Sequence, residues 1–296
     1  MISSQQELVE YVQEQINKYD GVAHALKASL PERMFRKTMN VKYMHPNPVD
    51  EFTHKDVGPS FRILNEYREQ LRQAKREGGR IFDEKIIVEK MAPDGYLILN
   101  GHHRWAAATL ERQKKVRVSV VNVTHGDDVH RMLNKSTRSK RVAMDLDTVI
   151  FASEDCKFIE RAGNKFLSHF YSEKIMLGRA GLIERLHAMD YDVWVYTRGY
   201  HSTEYIEKLF GCYNVTIDGI INGVGKNNDP EKAAEMRERI EQKYTLSLHI
   251  ENERVSFIDK STREFISREV IVDTKDWSKK MLAIISEIEV EYGSSK

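Results

Sequence analysis

The sequence is poor in cysteine and proline, and it has no long hydrophobic run. Its two cysteines, Cys156 and Cys212, have neither the spacing of a metal site nor a disulfide framework, so a reducing compartment fits. No apolar run approaches the length that spans a bilayer, and the first residues lack the apolar core of a secretion signal. We therefore expect a cytoplasmic protein with no membrane partner.

No excess charge of either sign is present. Lysine and arginine together number 46, aspartate and glutamate 45, and the formal net charge is +1. The net charge therefore gives the chain no overall electrostatic field that would attract nucleic acid or a membrane surface. Hydrophobic residues at 41% and charged residues at 31% are typical of a globular protein, and the length suits two domains.

Apolar patterns divide the chain into a helical lead at 1–37, a smaller α+β domain at 38–135 and an α/β domain at 141–296. In the last of these, short apolar runs alternate with amphipathic helical patterns. Such alternation is typical of a parallel sheet covered by helices on both faces. The fold class predicted for the chain is therefore α/β.

A strand-to-helix turn in the smaller domain has the composition of an anion site. The apolar run at 96–99 leads into Asn100, Gly101, His102, His103 and Arg104, and a helical pattern follows. Gly101 permits close backbone approach, and the helix directs free N–H groups at whatever precedes it. The two imidazoles and the guanidinium add donors. In the alternative interpretation the histidines simply cap the helix.

The run YLILNGHHRWAAATLERQKKVRVSVV resembles the nucleotide-binding core of the ParB and sulfiredoxin superfamily. The upstream MHPNPVDEF resembles that family's first strand and turn, and the likeness covers roughly residues 38–125. It implies that Gly101, His102, His103 and Arg104 hold the phosphates of a nucleotide such as ATP, ADP or CTP. It also implies that a nucleic acid is a possible partner.

The second domain begins with a strand that ends in two acids. Val142, Ala143 and Met144 lead into Asp145, and Asp147 follows two residues later. In an α/β sheet, an apolar strand places such a group at the carboxyl-terminal edge. One carboxylate can attack an electrophile while the other delivers or takes a proton. The alternative is a strand that ends in a solvated turn, where aspartate is common.

Further polar residues follow later apolar runs in an order known from one superfamily. VWVYTRG places Thr197 after a strand, Lys226 and Lys232 precede or open a helix, and FIDKSTREF places Asp259 after a strand. Together with Asp145 and Asp147, this order resembles the haloacid dehalogenase superfamily over about residues 141–275. Most members of that superfamily are phosphatases.

The resemblance implies an Mg²⁺-dependent phosphohydrolase acting on a phosphorylated substrate. Asp145 is then the nucleophile that forms an aspartyl phosphate, and Asp147 is the acid and base. Thr197 and either Lys226 or Lys232 bind the phosphoryl oxygens. Asp145, the backbone carbonyl of Asp147, and Asp259 hold the metal. Lys260 occupies a position where many members have a second acid.

Two other classes of function remain open. The substitution at Lys260 is compatible with a nucleotide-sensing or nucleic-acid-associated regulator whose dehalogenase-like half is degenerate. Free-serine kinases share the fold of the first domain, so a small-molecule kinase with Asp50 or Glu51 as its base is the third possibility.

Overall fold

The structure is a computed structural model that describes residues 5–79, 82–223, 230–270 and 276–292. Contacts within the chain divide it into two compact units, and the division falls between Val123 and Thr124. Each unit is a mixture of helix and strand built around a sheet of its own, which agrees with the predicted α/β class. In the described part of the chain, no helix is both long enough and apolar enough to cross a membrane.

The first unit contains one sheet and four α-helices among its described residues. Its strands are β1 (His24–Ala25), β2 (Thr38–Asn40), β3 (Met44–His45), β4 (Ile86–Ala92), β5 (Tyr96–Asn100) and β6 (Lys115–Val121). Its helices are α1 (Gln5–Tyr19), α2 (Leu30–Phe35), α3 (Phe61–Glu77) and α4 (His102–Leu110).

The strand order of this sheet is β2-β6-β4-β5-β3, and β1 pairs with β4. β4 runs parallel to β6 and antiparallel to β5. Leu8 and Val12 of α1 are buried in the same core as the strand residues Val88 and Ile98. The helical lead predicted at 1–37 therefore packs as part of this unit, because its apolar stripe completes the core.

The second unit is built from six strands and six α-helices among its described residues. The strands are β7 (Lys140–Asp145), β8 (Tyr191–Tyr196), β9 (Gly219–Ile221), β10 (Leu246–Ile250), β11 (Arg254–Ile258) and β12 (Phe265–Glu269). The helices are α5 (Gly126–Lys135), α6 (Lys165–Ser168), α7 (Arg179–Ala188), α8 (Thr203–Gly211), α9 (Pro230–Lys243) and α10 (Trp277–Tyr292).

The second sheet has the order β12-β11-β10-β7-β8-β9. β10, β7, β8 and β9 are mutually parallel, as the alternation of strands and helices predicts. β11 and β12 are antiparallel to their neighbours, which the sequence pattern did not predict. β7 lies between two parallel partners, and its continuous apolar run suits a strand that is buried on both faces.

Each face of this sheet carries its own core. One face contributes Val142 and Met144 to a large cluster that also contains residues of α7, α8 and α10. The other face contributes Ala143 and Trp194 to a smaller cluster with residues of α5 and α9. α5 thus packs with the second unit, whereas the predicted boundary placed residues up to 135 in the first domain.

Candidate functional site

Two neighbouring parallel strands bring Asp145 and Thr197 to the same edge of the second sheet. β7 ends at Asp145, which pairs in register with Tyr196 at the end of β8, and Thr197 follows directly. Asp145 is half-buried and Thr197 is fully buried. Two of the predicted catalytic residues therefore meet at the carboxyl-terminal edge, where α/β sheets place their ligands.

A single π-helical turn at Leu146–Ile150 brings Asp147 back over this edge. It begins directly after β7 and is closed by a hydrogen bond from Phe151 N to Leu146 O at 2.8 Å. The Thr197 hydroxyl donates to Asp147 Oδ2 at 2.8 Å, and Arg198 N donates to the same oxygen at 3.2 Å. The Asp147 carboxylate thus lies beside Thr197 and is held by two donors, while remaining exposed to solvent.

Asp145 is oriented by the turn that follows it. Its Oδ1 accepts from Thr148 N at 2.8 Å and from the Thr148 hydroxyl at 3.1 Å. Within the described chain, Oδ2 has no hydrogen-bond partner, so this oxygen is available to an incoming group. One carboxylate oxygen is fixed and the other is free, which is a suitable arrangement for a nucleophile.

The structure places Asp259 away from Asp145, and the prediction that the two share a metal site is wrong. β11 runs antiparallel to β10, so its carboxyl end lies at the edge where β7 and β10 begin. Asp259 follows that end and accepts from Ser261 N at 2.8 Å in a local turn. It is a turn residue at the opposite edge of the sheet.

Lys260 has a structural role at that same opposite edge. Its ammonium group donates to the backbone carbonyl of Glu241 at 2.6 Å and also to that of Tyr244. These carbonyls belong to the carboxyl end of α9, where a cation stabilises the helix. Lys260 therefore does not replace an acid beside Asp145, and it gives no reason to regard the site there as degenerate.

Glu251 is the carboxylate that sequence reasoning missed at the catalytic edge. It follows Ile250, the last residue of β10, which pairs with Met144 next to Asp145. Burial raises the pKa of Tyr196, and the carboxylates of Asp145 and Glu251 raise it further. Glu251 also accepts from Arg254 Nε at 2.5 Å. The alternating pattern of LSLHI was the signal for β10 and therefore for Glu251.

The predicted magnesium set does not form. In the part of the chain that the structure describes, no three histidine, cysteine, aspartate or glutamate side chains are grouped so that they could hold a metal ion. Lys226 lies outside the described residues. The Lys232 side chain also lies outside what the structure describes, although its backbone belongs to the first turn of α9. The last turn of that helix lies near the start of β10. A helix of 14 residues spans about 21 Å. The first turn therefore lies toward the catalytic edge.

In the first unit, Gly101 begins the predicted phosphate turn in a conformation that favours glycine. It precedes α4 with φ = 102°, and no side chain caps the amino end of this helix. A Cβ at Gly101 would lie 3.0 Å from Arg104 Nε and 3.2 Å from Ile86 Cγ1. The absence of a side chain at Gly101 therefore makes room for the Arg104 guanidinium.

Both imidazoles of the turn accept hydrogen bonds from nearby backbone. His102 Nε2 accepts from Asn47 N at 3.1 Å, and His103 Nε2 accepts from Ser60 N at 3.0 Å. His102 Nδ1 therefore carries its proton toward Asp50 Oδ2, 3.4 Å away. Asp50 Oδ1 in turn accepts from Phe52 N at 2.9 Å. The histidines anchor the segment between β3 and α3, and Asp50 is engaged on both oxygens.

Burial keeps these imidazoles neutral. It lowers the pKa of His102 to about 4, against the opposing effect of Asp50, and it also lowers the pKa of His103. His45, which is buried beside Tyr19, likewise has its pKa lowered by burial to about 4. Neither His102 nor His103 therefore brings a positive charge to the turn at neutral pH.

We expect the first unit to lose stability as the pH falls from 6.5 toward 4. In this window the unfolded chain takes up protons on His45 and His102, while the folded chain does not. The loss is about 1.4 kcal/mol per pH unit for each imidazole. Thermal unfolding at pH 7, 6 and 5 measures this, and His102→Gln should flatten the dependence. An unchanged melting temperature across that range would contradict the assignment.

Arg104 is buried and its guanidinium is bonded within the protein. Nη2 donates to Asn100 Oδ1 at 2.9 Å, and Nη1 pairs with Glu84, whose side chain is 77% exposed. Nε is buried without a hydrogen-bond partner among the described residues. The guanidinium therefore lies at the amino end of α4, with one side facing an exposed carboxylate that a ligand could displace.

One region of the chain matches a known protein family. Residues 38–137 match the family model of the ParB N-terminal domain, which confirms the predicted likeness there and covers about a third of the chain. The match points to association with a nucleotide or a nucleic acid. No curated protein and no solved structure matches the chain. The likeness of the second unit to haloacid dehalogenases stays a prediction.

Proposed function

We propose that the second unit is a phosphohydrolase that acts through an aspartyl phosphate on Asp145. The observation that carries this proposal is the grouping of Asp145, Asp147 and Thr197 at the carboxyl edge of four parallel strands. Asp147 is held by the Thr197 hydroxyl, and Asp145 keeps one unpartnered oxygen. These are the residues that a double displacement at phosphorus requires.

In the first step, Asp145 Oδ2 attacks phosphorus and the bond from phosphorus to the leaving oxygen breaks. Asp147, acting as the general acid, gives a proton to that oxygen, so the alcohol leaves neutral. In the second step, water attacks the phosphorus of the aspartyl phosphate while Asp147 takes the proton from water. The bond from phosphorus to Asp145 then breaks, releasing inorganic phosphate and restoring both carboxyl groups to their initial states.

Donors at this edge can serve the phosphoryl oxygens. The Thr197 hydroxyl and Arg198 N donate to Asp147, and we propose that the same donors serve the phosphoryl oxygens, where negative charge accumulates in phosphoryl transfer. A lysine before or at the start of α9, Lys226 or Lys232, is the proposed cation for the same oxygens. The proposal takes no step through a metal ion, because the predicted ligand Asp259 lies at the other edge.

We expect the wild-type protein to release phosphate from a phosphomonoester panel, and Asp145→Asn to show no release above background. Asparagine keeps the shape and can still accept from Thr148 N, so folding should be preserved while the attacking oxygen is lost. Assays with Mg²⁺ and with EDTA show whether a cation is needed. Asp259→Asn is the matched control and should keep wild-type turnover. Equal phosphate release by wild type and Asp145→Asn would refute the proposal.

We also propose that the first unit binds a nucleotide, with its phosphates at the amino end of α4. The match of residues 38–137 to the ParB N-terminal domain favours this, together with the uncapped helix and the buried Arg104 guanidinium. Because His102 and His103 are neutral, we propose that Arg104 and the backbone N–H groups supply most of the binding energy. ATP, ADP and CTP are the ligands proposed. The alternative of a small-molecule kinase with Asp50 or Glu51 as its base stays a prediction.

Removing the Glu84 carboxylate should tighten nucleotide binding, because it competes with phosphate for Arg104. A ligand at a hundred times its dissociation constant adds about 2.7 kcal/mol to stability, so a melting curve detects it readily. We expect a larger shift with Glu84→Gln than with wild type, and none with Arg104→Ala. Glu66→Gln, which removes another exposed carboxylate paired with an arginine, is the control. No shift with any of the three nucleotides in wild type and Glu84→Gln would refute this proposal.

A further inference from the structure

The connection between β7 and α7 exposes large aromatic side chains. Phe166 and Phe170 are 76% and 70% exposed, and Phe158 is 37% exposed. The rings of Phe166 and Phe170 lie 5.7 Å apart, edge to face. Burying a phenylalanine ring is worth about 2–3 kcal/mol, so rings left in solvent at this density indicate a surface that contacts something.

Basic residues alternate with these rings. Lys157, Lys165 and His169 each directly precede a phenylalanine, and Arg161 lies between the first two pairs. All four basic side chains are exposed. Within the described chain, Lys157, Arg161 and Lys165 form no ion pair. We name this set of seven the aromatic–basic surface: Lys157, Phe158, Arg161, Lys165, Phe166, His169 and Phe170.

The backbone that carries this surface is anchored. Leu177 N donates to Phe158 O at 2.9 Å, and Asn164 N donates to Cys212 O at 3.0 Å. The carboxylate of Glu160, the acid within this stretch, accepts from Gly178 N at 2.7 Å. These contacts fix the main chain at several points, so the exposed rings and cations are presented by a defined surface. Within the seven residues so defined, the charged side chains without an ion partner in the described chain are lysine and arginine.

We propose that the aromatic–basic surface binds single-stranded nucleic acid. Exposed aromatic rings stack on bases whatever their sequence, and lysine and arginine neutralise the neighbouring phosphates. A duplex hides the faces of its bases, so rings presented in this way suit a single strand. The lysine and arginine side chains of the surface complement a polyanion. The surface belongs to the second unit, whereas the Gly101–Arg104 turn belongs to the first.

The test is fluorescence anisotropy of a labelled oligothymidylate with the full-length chain. We expect salt-dependent binding by wild type. Loss of base stacking in the double variant Phe166→Ala and Phe170→Ala should weaken binding by roughly tenfold or more. Lys157→Gln with Lys165→Gln should weaken it and lower the slope of log affinity against log salt by about 0.7 for each phosphate that is no longer neutralised. A duplex should bind more weakly than the single strand.

Phe265→Ala is the matched control, because Phe265 is 66% exposed on β12 of the same unit. It should bind as wild type does. The first unit is itself a candidate for nucleic-acid binding, so the difference between the double phenylalanine variant and this control decides the matter. Equal binding by the two would overturn the proposal, as would absence of binding by wild type. Oligomers that the double variant abolishes, without any oligonucleotide binding, would show a protein contact instead.

Discussion

Replacing Asp147 with asparagine is expected to lower the rate of phosphate release by roughly two to four orders of magnitude, the usual contribution of a general acid and base. The asparagine Oδ1 can still accept from the Thr197 hydroxyl and from Arg198 N, so the arrangement of the edge should survive. What the variant loses is the proton given to the leaving oxygen and the base that activates water.

The leaving group distinguishes these two roles. p-Nitrophenol leaves readily as an anion, so the first step in Asp147→Asn should be impaired far less with p-nitrophenyl phosphate than with an alkyl phosphate. A burst of p-nitrophenol followed by slow turnover is the expected result. An equal decrease in rate for every leaving group, without a burst of p-nitrophenol, would show that Asp147 does not act as the acid.

Placing a side chain at Gly219 is expected to destabilise the second unit strongly. Gly219 pairs in register with Trp194, and a Cβ there would lie less than 3.0 Å from three carbons of the indole ring. The ring has little freedom to move, because it is buried and its Nε1 donates to the Tyr244 hydroxyl at 3.0 Å. Overpacking of this kind lowers the free energy of unfolding by about 1–3 kcal/mol, and the loss should be larger for valine than for alanine.

Urea denaturation of Gly219→Ala and Gly219→Val measures this cost. Gly181→Ala is the matched control, because Gly181 lies within α7 of the same unit and a Cβ there meets nothing within 4 Å. That variant should be neutral or more stable, since alanine favours the helix by about 1 kcal/mol over glycine. Wild-type stability of Gly219→Val would show that Trp194 does not lie as described.

The part of the catalytic edge that could be predicted rests on two apolar strands. Continuous apolar runs are typical of buried strands, and the chain has two of them, Val142 to Met144 and Val193 to Tyr196. The parallel arrangement brings the residues after these runs together. Asp145 and Thr197 are neighbours for that reason. The position of Asp147 also depends on the π-helical turn, which no local preference of its residues specifies.

The predicted position of Asp259 was wrong because the sequence of one strand does not determine whether it runs parallel or antiparallel to its neighbour. Val255 to Ile258 has the same composition whether it runs parallel or antiparallel to its neighbour. The decisive feature is β10, whose short alternating pattern was overlooked, and which a three-residue connection joins to β11. A connection this short allows only a hairpin, because a parallel crossover needs a dozen residues or more.

The phosphate turn shows the limit of reasoning from residue type. The sequence indicated three donor side chains, but in the structure the Nε2 atoms of two of them accept hydrogen bonds from the backbone. His102 and His103 accept hydrogen bonds from backbone N–H groups of a preceding segment. These donors lie some 40 residues or more away in sequence. Burial then keeps both imidazoles uncharged. No local pattern reports such long-range hydrogen bonds.

The proposed mechanism depends on phosphorylation of Asp145 during turnover, which peptide mass spectrometry of acid-quenched protein detects. Wild type quenched during hydrolysis of p-nitrophenyl phosphate should carry one phosphoryl group on the peptide that contains Asp145. Asp147→Asn should accumulate more of it, because the water that hydrolyses the acyl phosphate loses its base, and Asp145→Asn should carry none. Turnover with the phosphoryl group on a different residue, or with equal labelling of Asp145→Asn, would contradict this mechanism.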